Sequence, residues 1–154
     1  MNCTVCKLIP KNKFNLLETE YWVASLNPDQ YWLGRSFITS KKHIESISNL
    51  GNEAWLDLKL VINAYEAKLK SVFGADVFNW SALMNDAFNE LPYESPHLHW
   101  HVRPRYSKPV IFEGTKYEDE DFGRHYRTRW DGRQDKILAD ETMNSLAQKL
   151  AIDI

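Results

Sequence analysis

The chain has 154 residues, of which 44% are hydrophobic and 26% charged, and its formal net charge at pH 7 is −2. This length suits one domain with a hydrophobic core and is too short for two, so we expect a single domain over residues 1–154. The slight acidity argues against a protein that coats nucleic acid electrostatically. No apolar run is long enough for a membrane span and no signal segment begins the chain, so we expect a soluble, cytoplasmic protein with no membrane partner.

Two cysteines, Cys3 and Cys6, lie in a short polar segment near the N-terminus. In a cytoplasmic protein, a Cys-x-x-Cys pair indicates either metal ligands or a redox pair. The segment predicts neither a strand nor the helix N-terminus that a thioredoxin-like motif requires, which favours metal binding. A zinc site needs two further ligands.

Aromatic and β-branched residues dominate residues 20–26 and 31–38, which predict the two strands of a hairpin. The intervening residues 27–30, Asn-Pro-Asp-Gln, have the composition of a turn. A long helix is predicted over residues 53–73, after a cap at Gly51-Asn52 and before a stop at Gly74. Its apolar residues recur at helical spacing and form one buried stripe: Leu58, Val61, Ile62, Tyr65, Leu69 and Val72. Residues 75–84 predict another strand, which ends at Asn85.

Histidine alternates with apolar residues over residues 97–102. In a strand, His97, His99 and His101 would share one face, while the apolar side chains between them would enter a core. Three neighbouring groups that titrate near neutrality indicate chemistry rather than a merely polar surface. Because about 13 Å would separate the outer two Cα atoms, we do not expect one metal ion to be held by all three rings.

The C-terminal third begins with a short predicted strand over residues 109–112. Residues 123–133 carry four arginines among aromatic residues, and these could bind phosphate or stack on a base, or could pair with the acidic residues before them. Asp140 is predicted to cap a last helix. The buried side of that helix would be Met143, Leu146, Ala147 and Leu150. Strands in sequential order with one inserted helix and one terminal helix predict an α+β fold with an antiparallel sheet.

The run His-Leu-His-Trp-His-Val resembles the His-φ-His-φ-His-φ-φ motif of the histidine triad (HIT) nucleotide hydrolases and transferases, in which φ is apolar. Arg103 departs from the motif, because it is charged at the last φ. Residues 37–44 are similar to an upstream Lys-x-His segment of these proteins, and the cysteine pair is similar to that of their zinc-bearing branches. The resemblance covers residues 1–110 and leaves residues 111–154 as a C-terminal extension.

The resemblance implies a HIT-like antiparallel sheet and a closed structural zinc site. It also implies that His99 is a nucleophile that forms a nucleotidyl-histidine intermediate, while His101 donates to the phosphate oxygens. The implied zinc ligands are Cys3, Cys6, His43 and His97, and the implied substrate contacts are Asn27, Asn85, Ser95 and His101. Asn27 could instead bond its own backbone in the turn.

The last histidine of the triad bears on the type of reaction. In the family, histidine at this place goes with hydrolysis and glutamine with nucleotidyl transfer, so His101 implies a hydrolase of phosphoramidates, dinucleoside polyphosphates or other adenylated compounds. Three residues before His97, where a phosphate-contacting Ser or Thr is expected, the chain has Glu94 and then Ser95, and either could protonate the leaving group.

Relatives commonly form homodimers through the long helix and an edge strand, which we also expect here. The alternatives to a hydrolase are a nucleotidyltransferase and a zinc-stabilised nucleotide- or RNA-binding module without turnover. Nucleic acid is not the expected partner, although the four arginines could contact it: Arg124, Arg127, Arg129 and Arg133.

Overall fold

The computed structural model describes residues 3–124 and 135–154 and has an α+β architecture. Five strands are β1 (Asn15–Glu18), β2 (Trp22–Leu26), β3 (Ser36–Ser40), β4 (Val77–Ser81) and β5 (His99–Arg105). They form one antiparallel sheet in the order β1-β2-β3-β5-β4. The predicted fold class is therefore confirmed.

In the described part of the chain, three helices accompany this sheet: α1 (Thr4–Leu8), α2 (Asn52–Phe73) and α3 (Asp140–Leu150). Short 3-10 turns occupy Ile9–Lys11, Ile47–Asn49 and Asn85–Phe88. A separate hairpin pairs β6 (Val110–Phe112) with β7 (Thr115–Tyr117). Its two turn residues, Glu113 and Gly114, have φ of 47° and 73°, as a tight two-residue hairpin turn requires. Within residues 3–124 and 135–154, no helix is long and apolar enough to cross a bilayer.

Helix α2 confirms the helix predicted from apolar spacing. Its N-cap is Gly51, and Gly74 ends it with a left-handed φ of 70°. Four residues of the predicted stripe are buried, and Ile62 and Val72 pack partly buried against them. The indole of Trp22 on β2 donates to the Ala54 carbonyl at 2.8 Å, which fastens α2 to the sheet. This stripe is core, as expected.

Helix α3 also confirms a predicted helix, and its four predicted core residues are buried. The predicted cap is wrong, because Ala139 occupies the N-cap position with extended backbone and Asp140 is already helical. In the first turn, the Asp140 carboxylate still lies near the positive end of the helix dipole, where an acidic side chain is favourable.

The hairpin predicted around residues 27–30 exists as the β2–β3 pair, but its second strand begins at Ser36 rather than at residue 31. Gln30 explains the difference, because its buried amide donates to the carbonyls of Asn27 (2.6 Å) and Arg35 (2.9 Å). Its side-chain oxygen accepts from the Gly34 amide at 2.8 Å. One side chain thus satisfies the backbone of a long connection, and the aromatic Trp32 is buried there instead of extending the strand. Strand β1 was not predicted.

The two faces of the sheet have different surroundings. On one face, Ala24, Ile38 and Trp100 are neighbours in register and belong to the core that α2 and α3 cover. On the other face, His101 lies between Phe37 of β3 and Ser81 of β4. Alternation along β5 therefore places His99 and His101 away from the helices.

Candidate active site and metal centre

The strand predicted for the three histidines is wrong at its start, because β5 begins at His99. Before it, the backbone of Leu98 pairs outside the sheet ladder, donating to the Ile44 carbonyl at 2.7 Å and accepting from the Ser40 amide at 3.1 Å. His97 lies before the strand that carries the other two rings. His97 is buried and does not join the ring pair of His99 and His101. It lies instead in the cysteine-containing cluster described below, where a zinc ligand was expected.

His99 and His101 form a close pair on the face opposite the helices. Their Nε2 atoms are 3.1 Å apart and their ring centroids 4.9 Å apart. Phe37 packs edge-on against both, with centroid distances of 5.7 Å to His99 and 5.0 Å to His101. Phe37 thereby limits the rotation of both rings, a role that the sequence analysis missed.

The hydrogen bonds of His99 decide which of its nitrogens carries the proton. Its Nδ1 lies 2.8 Å from the His97 carbonyl oxygen, which can only accept, so Nδ1 bears the hydrogen. The Nε2 atom of the neutral ring then has a lone pair, and the 3.1 Å contact requires His101 to donate from its own Nε2. The Nε2 lone pair of His99 thus accepts a hydrogen bond from the Nε2–H of His101.

His101 stays neutral over the physiological range of pH. Burial lowers its pKa to about 3, and the charges of His99, Arg103 and Arg35 add to the effect. Its Nδ1 atom is buried, and a backbone contact from Leu83 to the ring partly opposes the lowering of the pKa. A neutral ring with Nε2–H is a donor that needs no protonation from solvent.

The alternation of the triad continues beyond His101 on the same face, to Arg103 and Arg105. Arg103 is 2% exposed, donates to the Ser81 hydroxyl at 3.2 Å and lies 6.0 Å from the Trp32 ring. Arg105 forms a buried bidentate pair with Asp119, with contacts of 2.5 and 3.0 Å. The charged residue that departs from the motif therefore belongs to a buried network. Because Arg103 follows His101 by two residues, strand alternation in the sequence could have placed both on the same face.

The four expected metal ligands come together at the other centre. One ligand atom from each of Cys3, Cys6, His43 and His97 lies within 4.8 Å of all the others. The Sγ atom of Cys6 is 3.4 Å from His43 Nδ1 and 3.3 Å from His97 Nδ1, and Cys3 Sγ is 3.5 Å from the latter. Both cysteines are free thiols.

This donor set fits zinc. Tetrahedral zinc with Zn–S and Zn–N bonds of ordinary length separates sulfur from nitrogen by about 3.6 Å, close to the contacts between these atoms. Two thiols with two imidazoles are also a common ligand set of closed structural zinc sites. The fit to zinc therefore follows from the identity and spacing of the four side chains.

The outer nitrogen of each metal-centre imidazole has an acceptor. His97 Nε2 lies 2.7 Å from the Ser40 carbonyl, and His43 Nε2 lies 3.4 Å from a carboxylate oxygen of Glu45. Both rings therefore present Nδ1 to the cysteines, and such outer contacts orient metal-binding histidines. Ser40 and Glu45 were not predicted from the sequence.

The cysteine segment forms a helix, contrary to the sequence prediction. Cys3 is the N-cap of α1, and its sulfur accepts from the Cys6 amide at 3.4 Å. Redox cysteines at helix N-termini have a lowered pKa, whereas burial and the neighbouring Cys3 raise the pKa of the Cys6 thiol. Together with the two imidazoles, this favours the metal interpretation over the redox one.

Glu94 bonds through its carboxylate to the N-terminal helix α1. Its carboxylate accepts from the backbone amide of Thr4 at 2.7 Å and from the Thr4 hydroxyl at 2.6 Å. Both of its oxygens are thus bonded to α1, and the expectation that Glu94 or Ser95 protonates the leaving group stays a prediction. Ser95, the other candidate, is half-buried.

Two expected substrate contacts lie in turns. The Asn27 side-chain oxygen accepts from the Asp29 amide at 2.8 Å, which is the backbone role considered as its alternative. Asn85 is exposed at the start of a 3-10 turn. Of the four arginines, Arg124 contributes its carbonyl to Arg105 at 3.2 Å, while Arg127, Arg129 and Arg133 lie outside the described residues.

No protein-family model and no curated protein matches the chain. Among solved structures, it is similar to a histidine triad protein from Marinobacter aquaeolei VT8, with a TM-score of 0.64, 20% identity and coverage of 97% of this chain and 94% of that one. A zinc-bound histidine triad family protein from Mycobacterium smegmatis gives a TM-score of 0.57 at 18% identity, with coverage of 96% and 92%.

A uridylyltransferase structure is similar at a TM-score of 0.66 and 17% identity, over 97% of this chain but only 44% of the other. These likenesses extend along both the sheet and the C-terminal third. Together with the paired imidazoles on β5, they lead to one conclusion about the architecture: the chain has the histidine triad fold.

Proposed function

We propose that this chain is a histidine triad hydrolase that cleaves nucleotides at the α-phosphorus through a nucleotidyl-His99 intermediate. The substrates would be nucleoside phosphoramidates, dinucleoside polyphosphates or other adenylated compounds. The fold is that of histidine triad proteins and of a uridylyltransferase, and the site has the imidazole pair that such chemistry needs. Zinc at the cysteine centre would be structural, and the cytoplasmic location stays a prediction.

The observation that supports this proposal most strongly is the hydrogen bond from His99 Nδ1 to the His97 carbonyl at 2.8 Å. It leaves the lone pair on Nε2 and makes that nitrogen the nucleophile. When Nε2 bonds to phosphorus, the ring becomes cationic, and the same carbonyl then accepts a stronger, charge-assisted bond. The His97 carbonyl therefore fixes the tautomer of His99 before the attack and stabilises the cationic ring after it.

In the first step, the Nε2 lone pair of His99 forms a bond to phosphorus while the bond to the leaving group breaks. The leaving group departs with that electron pair and takes a proton from the Ser95 hydroxyl or from water. When substrate binds, the Nε2–H of His101 moves from His99 Nε2 to a phosphate oxygen, where negative charge grows, and the His99 lone pair becomes free to attack. Asn27 and Asn85 would contact the nucleotide.

In the second step, water attacks the phosphorus, the N–P bond returns its electrons to His99, and the proton of water passes to the group that protonated the leaving group, the Ser95 alkoxide or hydroxide. Bound zinc would supply a cross-link among Cys3, Cys6, His43 and His97. That cross-link would hold the His97 backbone, whose carbonyl orients His99.

The transferase alternative has the uridylyltransferase likeness in its favour, but this chain spans less than half of that protein. Histidine rather than glutamine at residue 101 favours water as the acceptor. Product analysis distinguishes the two, because a transferase would join the nucleotide to a sugar phosphate in the presence of water.

Replacing His99→Asn tests the proposal against a binding module without turnover. Asparagine keeps a polar side chain of similar reach but cannot attack phosphorus, so turnover should fall by several orders of magnitude while nucleotide affinity changes little. Calorimetric titration with a nucleoside monophosphate and steady-state assays measure the two quantities separately.

The matched comparison is His101→Asn, which keeps the nucleophile and removes a donor. It should slow turnover by roughly 100- to 1,000-fold, as loss of an oxyanion donor does. Zinc content and melting temperature check that both variants remain folded. A His99→Asn protein with the parent rate would rule out the covalent route.

A further inference from the structure

The metal centre is assembled from two halves that differ in how they are held. His43 and His97 lie on segments that the Leu98 backbone joins, through its bonds to Ile44 and Ser40. His97 is further held by its 2.7 Å bond to the Ser40 carbonyl. The imidazole half is therefore fixed by the body of the protein.

The cysteine half is carried by the N-terminal helix α1, with Cys3 at its N-cap and Cys6 inside it. A helix of five residues is too short to be stable alone and needs contacts with the rest of the protein. Without such contacts, the two sulfur ligands would lose conformational entropy each time metal bound.

Glu94 supplies such a contact from the loop that leads to His97. Both oxygens of its carboxylate are used, at 2.7 Å from the Thr4 amide and 2.6 Å from the Thr4 hydroxyl. The loop is itself closed by the Glu94 amide, which donates to the Ala87 carbonyl at 2.9 Å. Thr4 follows the ligand Cys3 directly, so the carboxylate holds α1 one residue from a metal ligand.

We propose that Glu94 is a positioning residue that presents Cys3 and Cys6 to His97 and so sets the zinc affinity of the centre. The residue that replaces the Ser or Thr expected before the triad thus acts on the metal rather than on the leaving group. The inference rests on the zinc site of the proposed function, but it does not depend on hydrolase activity.

Outer contacts of this kind typically change metal affinity by about 10- to 100-fold. Glu94→Ala removes both acceptors and should weaken zinc binding by roughly that factor. Glu94→Gln keeps one acceptor oxygen, so its loss should be smaller. Thr4→Val removes the hydroxyl but keeps the amide donor, and should also have an intermediate effect.

The experiment titrates the full-length chain with zinc against a chromophoric chelator. Parent, Glu94→Ala, Glu94→Gln, Thr4→Val and the double variant Glu94→Ala/Thr4→Val are compared. If the two residues act through their mutual bonds, adding Thr4→Val to Glu94→Ala should cause little further loss. The matched control is Glu90→Gln, which removes one exposed carboxylate from the same loop.

Cobalt titration provides a second measurement. At saturation, Glu94→Ala should show the same thiolate charge-transfer band as the parent, because the ligands are unchanged, but should need more cobalt to reach it. A lost band would mean that the centre itself is disrupted, which contradicts a purely positioning role.

The possible outcomes distinguish a failure of this inference from a failure of the zinc site. A parent that binds no zinc would overturn the metal centre and this inference together, while leaving the test of His99 intact. A parent that binds zinc no more tightly than Glu94→Ala would overturn the inference alone. Equal losses of zinc affinity in Glu90→Gln and Glu94→Gln would show that removing any carboxylate from this loop has the same effect. That result would also refute the inference.

Discussion

At the residue scale, alternation along β5 predicted most of the site. It assigned His99 and His101 to one face and Leu98, Trp100 and Val102 to the core. Leu98 and Val102 are fully buried, and Trp100 packs partly buried against the core. Alternation could not predict that His97 leaves the strand, because that depends on backbone bonds from Leu98 to distant segments. Long-range partners of this kind have no signal in local spacing.

His101 provides a prediction about pH and stability. Its pKa is about 3 in the folded chain, against about 6.5 in an unfolded one. Between these values the unfolded chain binds a proton that the folded chain does not. Stability from this group is therefore complete above pH of about 6.5 and is lost as pH falls toward 3.

His101→Gln removes that proton uptake. Its unfolding free energy should fall less steeply with decreasing pH than that of the parent, by up to about 1.4 kcal/mol per pH unit. Urea titrations at several pH values between about 4 and 7, with zinc saturating, measure both slopes. Parallel slopes would contradict a neutral, buried His101.

At the element scale, local patterns predicted helices well and connections poorly. The stripe in α2 is repeated over many turns, so its spacing is unambiguous. The connection between β2 and β3 is instead organised by Gln30, and Glu94 accepts from the first amide of α1. In both elements a side chain satisfies backbone groups, and apolar spacing gives no signal of such a bond.

Gly34 in the β2–β3 connection is a position where only glycine fits. Its φ is 87°, and an added Cβ would lie 2.4 Å from Leu69 Cδ1 of α2. Tyr65 also donates to the Gly34 carbonyl at 2.6 Å, which prevents the backbone from moving away. Gly34→Ala should therefore lower the unfolding free energy by about 2–4 kcal/mol.

Gly74→Ala is the matched control. Gly74 also has a left-handed φ, of 70°, but an added Cβ meets no described atom within 4 Å. It should cost only about 1 kcal/mol, the backbone contribution alone. Chemical denaturation compares the two variants, and equal losses would show that the approach to Leu69 contributes nothing.

At the scale of the whole molecule, the C-terminal third is joined to the site strand. Arg105 pairs with Asp119 in a buried contact, and its Nη2 donates to the Asp121 carbonyl at 2.7 Å. The Lys136 amide donates to Asp29 at 2.9 Å. The sequence predicted α3 but not these links, because charge pairs between distant segments cannot be matched without the fold.

The expected homodimer is a prediction at this scale. Exposed apolar side chains lie on α2, where Trp55, Leu56 and Leu60 are 41%, 67% and 59% exposed, and β4 is an edge strand whose Val77 is 48% exposed. If a second copy covers this surface, Leu60→Glu should weaken association at least about tenfold, because it buries a charge.

Light scattering at micromolar concentration measures the mass of parent and variant. Leu91→Glu is the control, because Leu91 is 79% exposed in a loop outside α2. It should leave the dimer intact. A monomeric parent at micromolar concentration would be incompatible with this prediction.

The central claim is that His99 Nε2 attacks phosphorus, and capture of the covalent intermediate tests it most directly. The enzyme is mixed with an α-labelled adenylated substrate, quenched within milliseconds and digested, and the peptide containing His97, His99 and His101 is sequenced by mass spectrometry. The claim predicts one nucleotidyl group on His99, released by acid more readily than by base. A label on another residue, or turnover with no labelled peptide, would contradict it.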